Sequence, residues 1–454
     1  MALTIHPDAA KNIDAKANTI KQAVQTGSFK PKKVAGWEPD VHATHLDAKD
    51  IKGPVRMSVG GEHPFVASIE MGTSQVIQGT SAQDFSRLTL SLHRAFQPAN
   101  AVSLDATESI LQQWLFDTHA DEFPSEYCRL RLAQQIRRFR VWVPIANLHV
   151  QTPFSVGPVG IQTITSDLLK NWVSRKTRQD DAPDIREQTN KRFEDLDKKL
   201  RGAAAGVVEI EAEPIAARVF ALEQVEDALS LLRLFAGPAI IPRLRSYCAP
   251  RGQENMATYH VILESNDNQF HSEARGLLDR DSNPWRISTQ EIAELNAAGL
   301  ARLGSILHES TRSDFQTRVM AALRLYSDST RERQIASRLV LIFAALESLF
   351  LKNANEPITQ NLSERLAILS MDTPDDRVSV VQLTRRVYAQ RSKFVHHSEH
   401  IELNDDLEQF VGIAWHGLMT IIANIDTFKT LGQFIEHLDR LKMSGRSFVS
   451  NSNS

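Results

Sequence analysis

Between residues 315 and 442 the chain reads as six helices in succession, at 315–327, 331–352, 358–371, 376–397, 405–427 and 430–442. Few glycines or prolines interrupt them, so this third of the chain has little option but helix. Asn404 followed by Asp405, Asp406 and Glu408 is a strong helix start, because acidic side chains sit well on the positive helix end. The longest apolar run, Leu339 to Leu346, extends past Glu347 and Ser348 to Leu351. A membrane span needs about 20 apolar residues, so this run is expected to be a helix buried inside a domain, and no membrane partner is expected.

The preceding residues have a different texture. Residues 53–61, 63–71 and 86–94 are short, alternating and bounded by turn residues, as strands are. Residues 138–144 alternate Arg138 and Arg140 with Phe139, Val141 and Val143, and 154–165 reads as a strand or hairpin. A helix is expected at Thr107–Thr118. Together these suggest a β-rich N-terminal domain over 1–165 that senses a trigger or binds substrate. A mixed region follows over 166–310. Its charged stretch, with Arg175, Lys176, Asp180, Asp181, Glu194, Asp195, Lys198 and Lys199, reads as a solvated helical excursion. Residues 214–236 are helical and stop at Gly237 and Pro238, and 257–265 is strand-like. Ser288 and Glu291 form a capping box opening a helix through Ile292, Leu295, Leu300, Leu303 and Leu307. The expected class is α+β, with a helical domain at 311–445 and a disordered tail at 446–454.

With 454 residues, about three domains are expected. Hydrophobic residues at 42% exclude a wholly disordered chain. A net charge of −3 provides no global basic field, so any nucleic-acid contact must be a local patch. Cys128 and Cys248 are too few for a disulfide framework or a four-cysteine zinc site, and they fit a reducing cytoplasm. The first twenty residues carry charges and no apolar core, unlike a secretory signal. A cytoplasmic location is expected.

Common catalytic motifs are missing: no Walker A loop, G-x-G-x-x-G, G-x-S-x-G or H-E-x-x-H occurs. Gly202–Gly206 lacks the lysine of a phosphate loop. The segment that stands out is 388–400, which sets Arg391, Lys393, His396, His397 and His400 at a predicted helix end. Arginine can fork onto a phosphate and histidine can move a proton near neutral pH. An R-x4-H pair, Arg391 with His396, is a minimum kit for cleaving RNA through its own 2′-hydroxyl without a metal or other cofactor. Plainer readings compete. Arg391 could pair with a core carboxylate, histidines near a helix C-terminus are favoured by the dipole, and His396, His397 and His400 could hold a metal. Five residues along a helix amount to about 140° of rotation. Either the helix ends between Arg391 and His396, or a second copy of the chain completes the site.

Three stretches resemble the HEPN superfamily, and most of all its Apea-like branch. They are FAALESLFL at 343–351, LSERLAIL at 362–369 and RVYAQRSKFVH at 386–396, in that order on predicted helices. Pieces of 138–165 resemble the region that precedes such a domain. One departure is His397, where members often have glycine. The resemblance implies an all-α bundle that forms a homodimer or a larger even oligomer, with two R-x4-H motifs facing across one site. It implies metal-independent endoribonuclease activity on RNA, with tRNA and mRNA as candidate targets. In many members this is a toxin-like response to phage, as abortive infection, with a phage-derived trigger. Arg391 and His396 carry over as the catalytic pair, with Lys393, Ser392 and His397 as RNA-binding or supporting residues. Glu347 carries over as the acidic helix position. A carboxylate in an apolar run needs a partner, which Arg391 or Arg365 could supply. A non-catalytic HEPN protein binding RNA, nucleotide or a protein partner is the alternative.

Overall fold

The computed structural model describes residues 2–27, 53–57, 65–70, 73–78, 80–117, 120–174, 183–253, 259–264, 270–275, 284–353, 355–446 and 448. The chain is mixed α and β, and its described residues form two compact units. One comprises Met1–Val141 with Glu209–Ala221, and the other Trp142–Val208 with Leu222–Ser454. The boundaries fall inside the strands Arg137–Ala146 and Ala204–Ala212 and inside the helix Pro214–Arg233.

The first unit is not β-rich among its described residues. Helices Pro7–Gln22, Thr80–Ala95, Leu104–Phe116 and Pro124–Gln135 pack around Ile13, Phe85, Leu92, Leu111, Trp114 and Cys128. The segment 86–94, expected as a strand, lies in Thr80–Ala95. Leu88, Leu90 and Leu92 do alternate, but Ala82, Phe85, Leu88, Thr89 and Leu92 are the buried set, and that is the helical spacing. The expected strands at 53–61 and 63–71 survive as Gly53–Met57 and Phe65–Glu70. They join Thr73–Gln78 and Gln25–Gly27 in a four-stranded antiparallel sheet. The parts of those two segments beyond the strands lie outside the described residues. The helix expected at Thr107–Thr118 is Leu104–Phe116, capped by Ser103, whose hydroxyl accepts from the Ala106 amide at 3.0 Å.

In the second unit, Phe154–Val156 and Val159–Thr163 form the expected hairpin, and Val159–Thr163 pairs on with Ala204–Ala212. Gly206 shows why the small-residue run GAAAG is there. A Cβ at that position would lie 2.6 Å from Val225 Cγ2, so the glycine admits close packing of a helix on the strand. Ser166–Ser174 and Pro183–Leu200 are the charged helical excursion, while Arg175, Lys176, Asp180 and Asp181 lie outside the described residues. The strand at 257–265 is Tyr259–Glu264, paired with Phe270–Arg275. Gly237 and Pro238 do not merely stop a helix; they begin a short one, Gly237–Ile240. The capping box at Ser288 and Glu291 forms, but its helix breaks at Gly299, φ +117°, into Thr289–Ala297 and Leu300–His308. A Cβ there would meet Ile422 Cγ2 at 2.6 Å, and a φ of +117° lies beyond the left-handed region that other residues can enter.

The six expected C-terminal helices are Asp314–Ser329, Ile335–Phe350, Ile358–Ser370, Pro374–His397, Asp405–Ala423 and Leu431–Ser444. Capping boxes at Ser313 and Thr430 and the Asn404 carboxamide start three of them. Aromatic rings fill the space between: Phe343 stacks on Phe410 at 4.8 Å, and Phe315 tilts against Phe434 at 5.0 Å. Phe448 is buried against Phe434 and His437, so the expected disordered tail is anchored at this residue; 447 and 449–454 lie outside the described residues. No described helix is long and apolar enough to cross a membrane.

Candidate active site

Thr373, whose hydroxyl accepts from the Asp376 amide at 3.2 Å, and Pro374 at the first turn start the helix that carries the R-x4-H pair. It runs 24 residues without a break and ends at Ser398, which turns left-handed at φ 54°. Val380, Leu383, Thr384 and Val387 form its buried face. Arg391 follows Val387 by four residues and continues that face.

There Arg391 meets Glu347 on Ile335–Phe350, Nη2 to Oε1 at 4.0 Å, with side chains 18% and 24% exposed. The choice between Arg391 and Arg365 as partner of Glu347 therefore falls to Arg391. The contact is incomplete. Arg391 Nε and Glu347 Oε1 are both buried without a hydrogen-bond partner. Tyr388 closes the cluster. Its ring stands edge-on to Phe343 at 5.0 Å, and the Arg391 guanidinium lies 5.5 Å from its centroid. Burial first, then the Glu347 carboxylate, raises the Tyr388 hydroxyl above its ordinary value, against the opposing Arg391 charge. The phenol is thus a neutral donor at physiological pH. Sequence reasoning gave Tyr388 no role. Its position three residues before Arg391, one helical turn, was the available signal.

His396 and His397 are exposed in the last turn, their rings 6.4 Å apart. Lys393 is exposed and faces Glu399, Nζ to Oε2 at 3.7 Å, and Ser392 is half-buried. His400 lies beyond Ser398 in irregular chain, so His396 and His400 are not one turn apart on a helix. Among the described residues no group of three or more His, Cys, Asp or Glu is placed to hold a metal ion.

The helix does not end between Arg391 and His396. Their offset of about 140° therefore stands, and one copy of the chain presents them on different faces. Arg391 points to the bundle interior and His396 to solvent. Chemically, the arrangement offers a guanidinium with an unused donor beside a carboxylate and a phenol, and an imidazole free to meet an incoming group.

No family model matches the sequence, and no curated protein or solved structure matches it either.

Proposed function

We propose that this chain is a metal-independent endoribonuclease of the HEPN type, acting in a dimer whose composite site combines Arg391 and His396. The supporting observation is the unbroken Pro374–His397 helix, which exposes His396 at its end while turning Arg391 inward with a donor to spare. His396 removes the 2′-hydroxyl proton and returns one to the leaving 5′-oxygen. Arg391 neutralises charge building on the phosphorane, held in place by Glu347 and backed by Tyr388. Lys393, Ser392 and His397 lie along the path of the RNA backbone. A toxin-like role against phage in the cytoplasm follows the same resemblance.

One observation favours a second reading, in which the protein binds RNA without cleaving it. Arg391 faces Glu347 at 4.0 Å and is mostly covered, as a structural arginine would be. Sequencing of RNA ends after expression separates the two. The nuclease reading expects 2′,3′-cyclic phosphate and 5′-hydroxyl ends from wild type in the presence of EDTA, and none from His396→Ala. Ends bearing 3′-hydroxyl and 5′-phosphate would point to a metal-activated water instead, and equal RNA profiles for both proteins would favour binding alone.

A further inference from the structure

A cavity of about 510 Å³ opens in the second unit, a size typical of small-molecule sites. None of its lining residues belongs to the Pro374–His397 helix. Asn147, Arg245, Tyr247, Trp285 and Arg286 supply its polar and aromatic lining, and Pro238 and Leu244 part of its apolar lining. We propose that this cavity binds a single nucleoside phosphate.

Charge is the first argument. Among the described lining residues there are two arginines and no carboxylate; Arg245 already donates to Arg331 O at 2.6 Å, so Arg286 is the one that favours an anion. Arg286 is exposed and makes no ion pair with a described residue. Arg245 lies 5.3 Å from the Tyr247 ring centroid. A guanidinium matches phosphate geometry with two parallel donors. The second argument is aromatic surface. Trp285, half-buried, offers a face on which a base can stack. The third is an unused donor. Asn147 Nδ2 is buried without a hydrogen-bond partner, at a residue with φ 56°. A buried donor is costly to leave unpaired, and an acceptor on a base edge or ribose would satisfy it.

The wall is also built in advance. Arg338, 1% exposed, donates to the carbonyls of Pro238, Pro242 and Leu244, and Arg233, fully buried, donates to Cys248 O at 2.9 Å. These bonds hold 238–248 in one shape before any ligand arrives, which lowers the cost of binding. Cys248, whose thiol burial pushes up to about 12, is a neutral wall and not a nucleophile.

Titration of the full-length protein with ADP, GDP, CDP and UDP, read by calorimetry and tryptophan fluorescence, tests this. At least one nucleotide should bind, more tightly than inorganic phosphate or the bare nucleoside. Arg286→Gln should weaken it by about tenfold or more, the value of a charged hydrogen bond. Asn147→Gly, which relaxes the positive φ while removing the amide, should weaken it without lowering the melting temperature. Trp285→Phe should keep affinity within a few-fold and abolish the fluorescence change. The proposal is overturned if no nucleotide binds at millimolar concentration, if phosphate alone binds as well, or if Arg286→Gln and Asn147→Gly leave affinity unchanged. It is equally overturned if a 5′-phosphorylated RNA 10-mer binds more tightly than every nucleotide, since the cavity would then take an RNA end. The assay reads no cleavage, so its outcome is independent of the proposed nuclease activity.

Discussion

Arg365 and Arg391 of the C-terminal helices both meet carboxylates, and they are treated differently. Arg365 uses four of its five donors. Its Nε donates to Asp439 at 3.0 Å, Nη1 to Glu356 at 2.8 Å and to Phe350 O, and Nη2 to Asp439 at 3.2 Å. Lys352 reaches the same Asp439 at 3.2 Å. Arg391 has one carboxylate at 4.0 Å, and both it and Glu347 keep a buried polar atom unpaired. A satisfied network tethers helices; an unsatisfied one has capacity left for a ligand. The contrast supports a structural role for Arg365 and is consistent with the chemical role proposed for Arg391.

The largest effects should appear in catalysis. His396→Ala should lose about 100- to 10,000-fold in single-turnover RNA cleavage, the usual general acid–base contribution. Arg391→Ala should lose at least as much, and Arg391→Lys should rescue poorly because the planar fork is gone. Circular dichroism should show both alanine variants folded. Arg391→Ala with normal cleavage would dissolve the contrast with Arg365.

Stability should show the reverse order. Arg365→Met leaves Glu356 without its cation and Asp439 with Lys352 alone, and should cost about 3 kcal/mol in urea unfolding. Arg391→Met, which removes a long and partly exposed contact, should cost about 1 kcal/mol or less. Equal costs would mean that both arginines are structural.

Acid should sharpen the same contrast. Burial alone would raise Glu356 and Asp439, but hydrogen bonds and charge from Arg365, joined by Lys352 at both and by Asn361 at Glu356, outweigh it and hold both below their ordinary values. A carboxyl depressed in the folded state adds stability above its unfolded value, about 4, and loses it as pH falls through the folded value. Wild type should therefore lose stability below about pH 4, and Arg365→Met should flatten that dependence in urea midpoints measured from pH 3 to 7. An unchanged slope would remove Arg365 as its cause.

The smallest effects should come from the neighbouring histidines. His397→Ala and His400→Ala should cleave within about tenfold of wild type, below the general acid–base range. His397 is rotated about 100° from His396 and His400 is off the helix. A dead His400→Ala beside an active His396→Ala would revive a metal cluster.

The C-terminal helices were legible because few glycines or prolines interrupt them and Asn404 caps one; the caps Ser313, Thr373 and Thr430, each one residue before a helix, came only with the structure. The N-terminal unit was not, because Leu88, Leu90 and Leu92 satisfy the strand period while Ala82 and Phe85, which decide for helix, lie outside or at the edge of the window read. Gly299 was missed as a break because a lone glycine in an apolar pattern carries no sign of its φ. At the site, spacing on one helix exposed the mismatch between Arg391 and His396. The pairing of Glu347 could not be read, since Arg365 and Arg391 are equally plausible until Asp439, far along the chain, claims one of them. Arg338, caged by three carbonyls, had no sequence signal at all, because its partners are backbone atoms.

The most direct test of a shared site is complementation between two inactive copies. Arg391→Ala and His396→Ala chains carrying different tags are co-expressed, and the heterodimer is isolated through both tags. If Arg391 of one copy works with His396 of the other, the heterodimer contains one intact pair and should cleave RNA measurably, while each parent homodimer remains inactive. A folded heterodimer as inactive as its parents, or a wild-type protein fully active as a monomer in light scattering at micromolar concentration, would contradict the account.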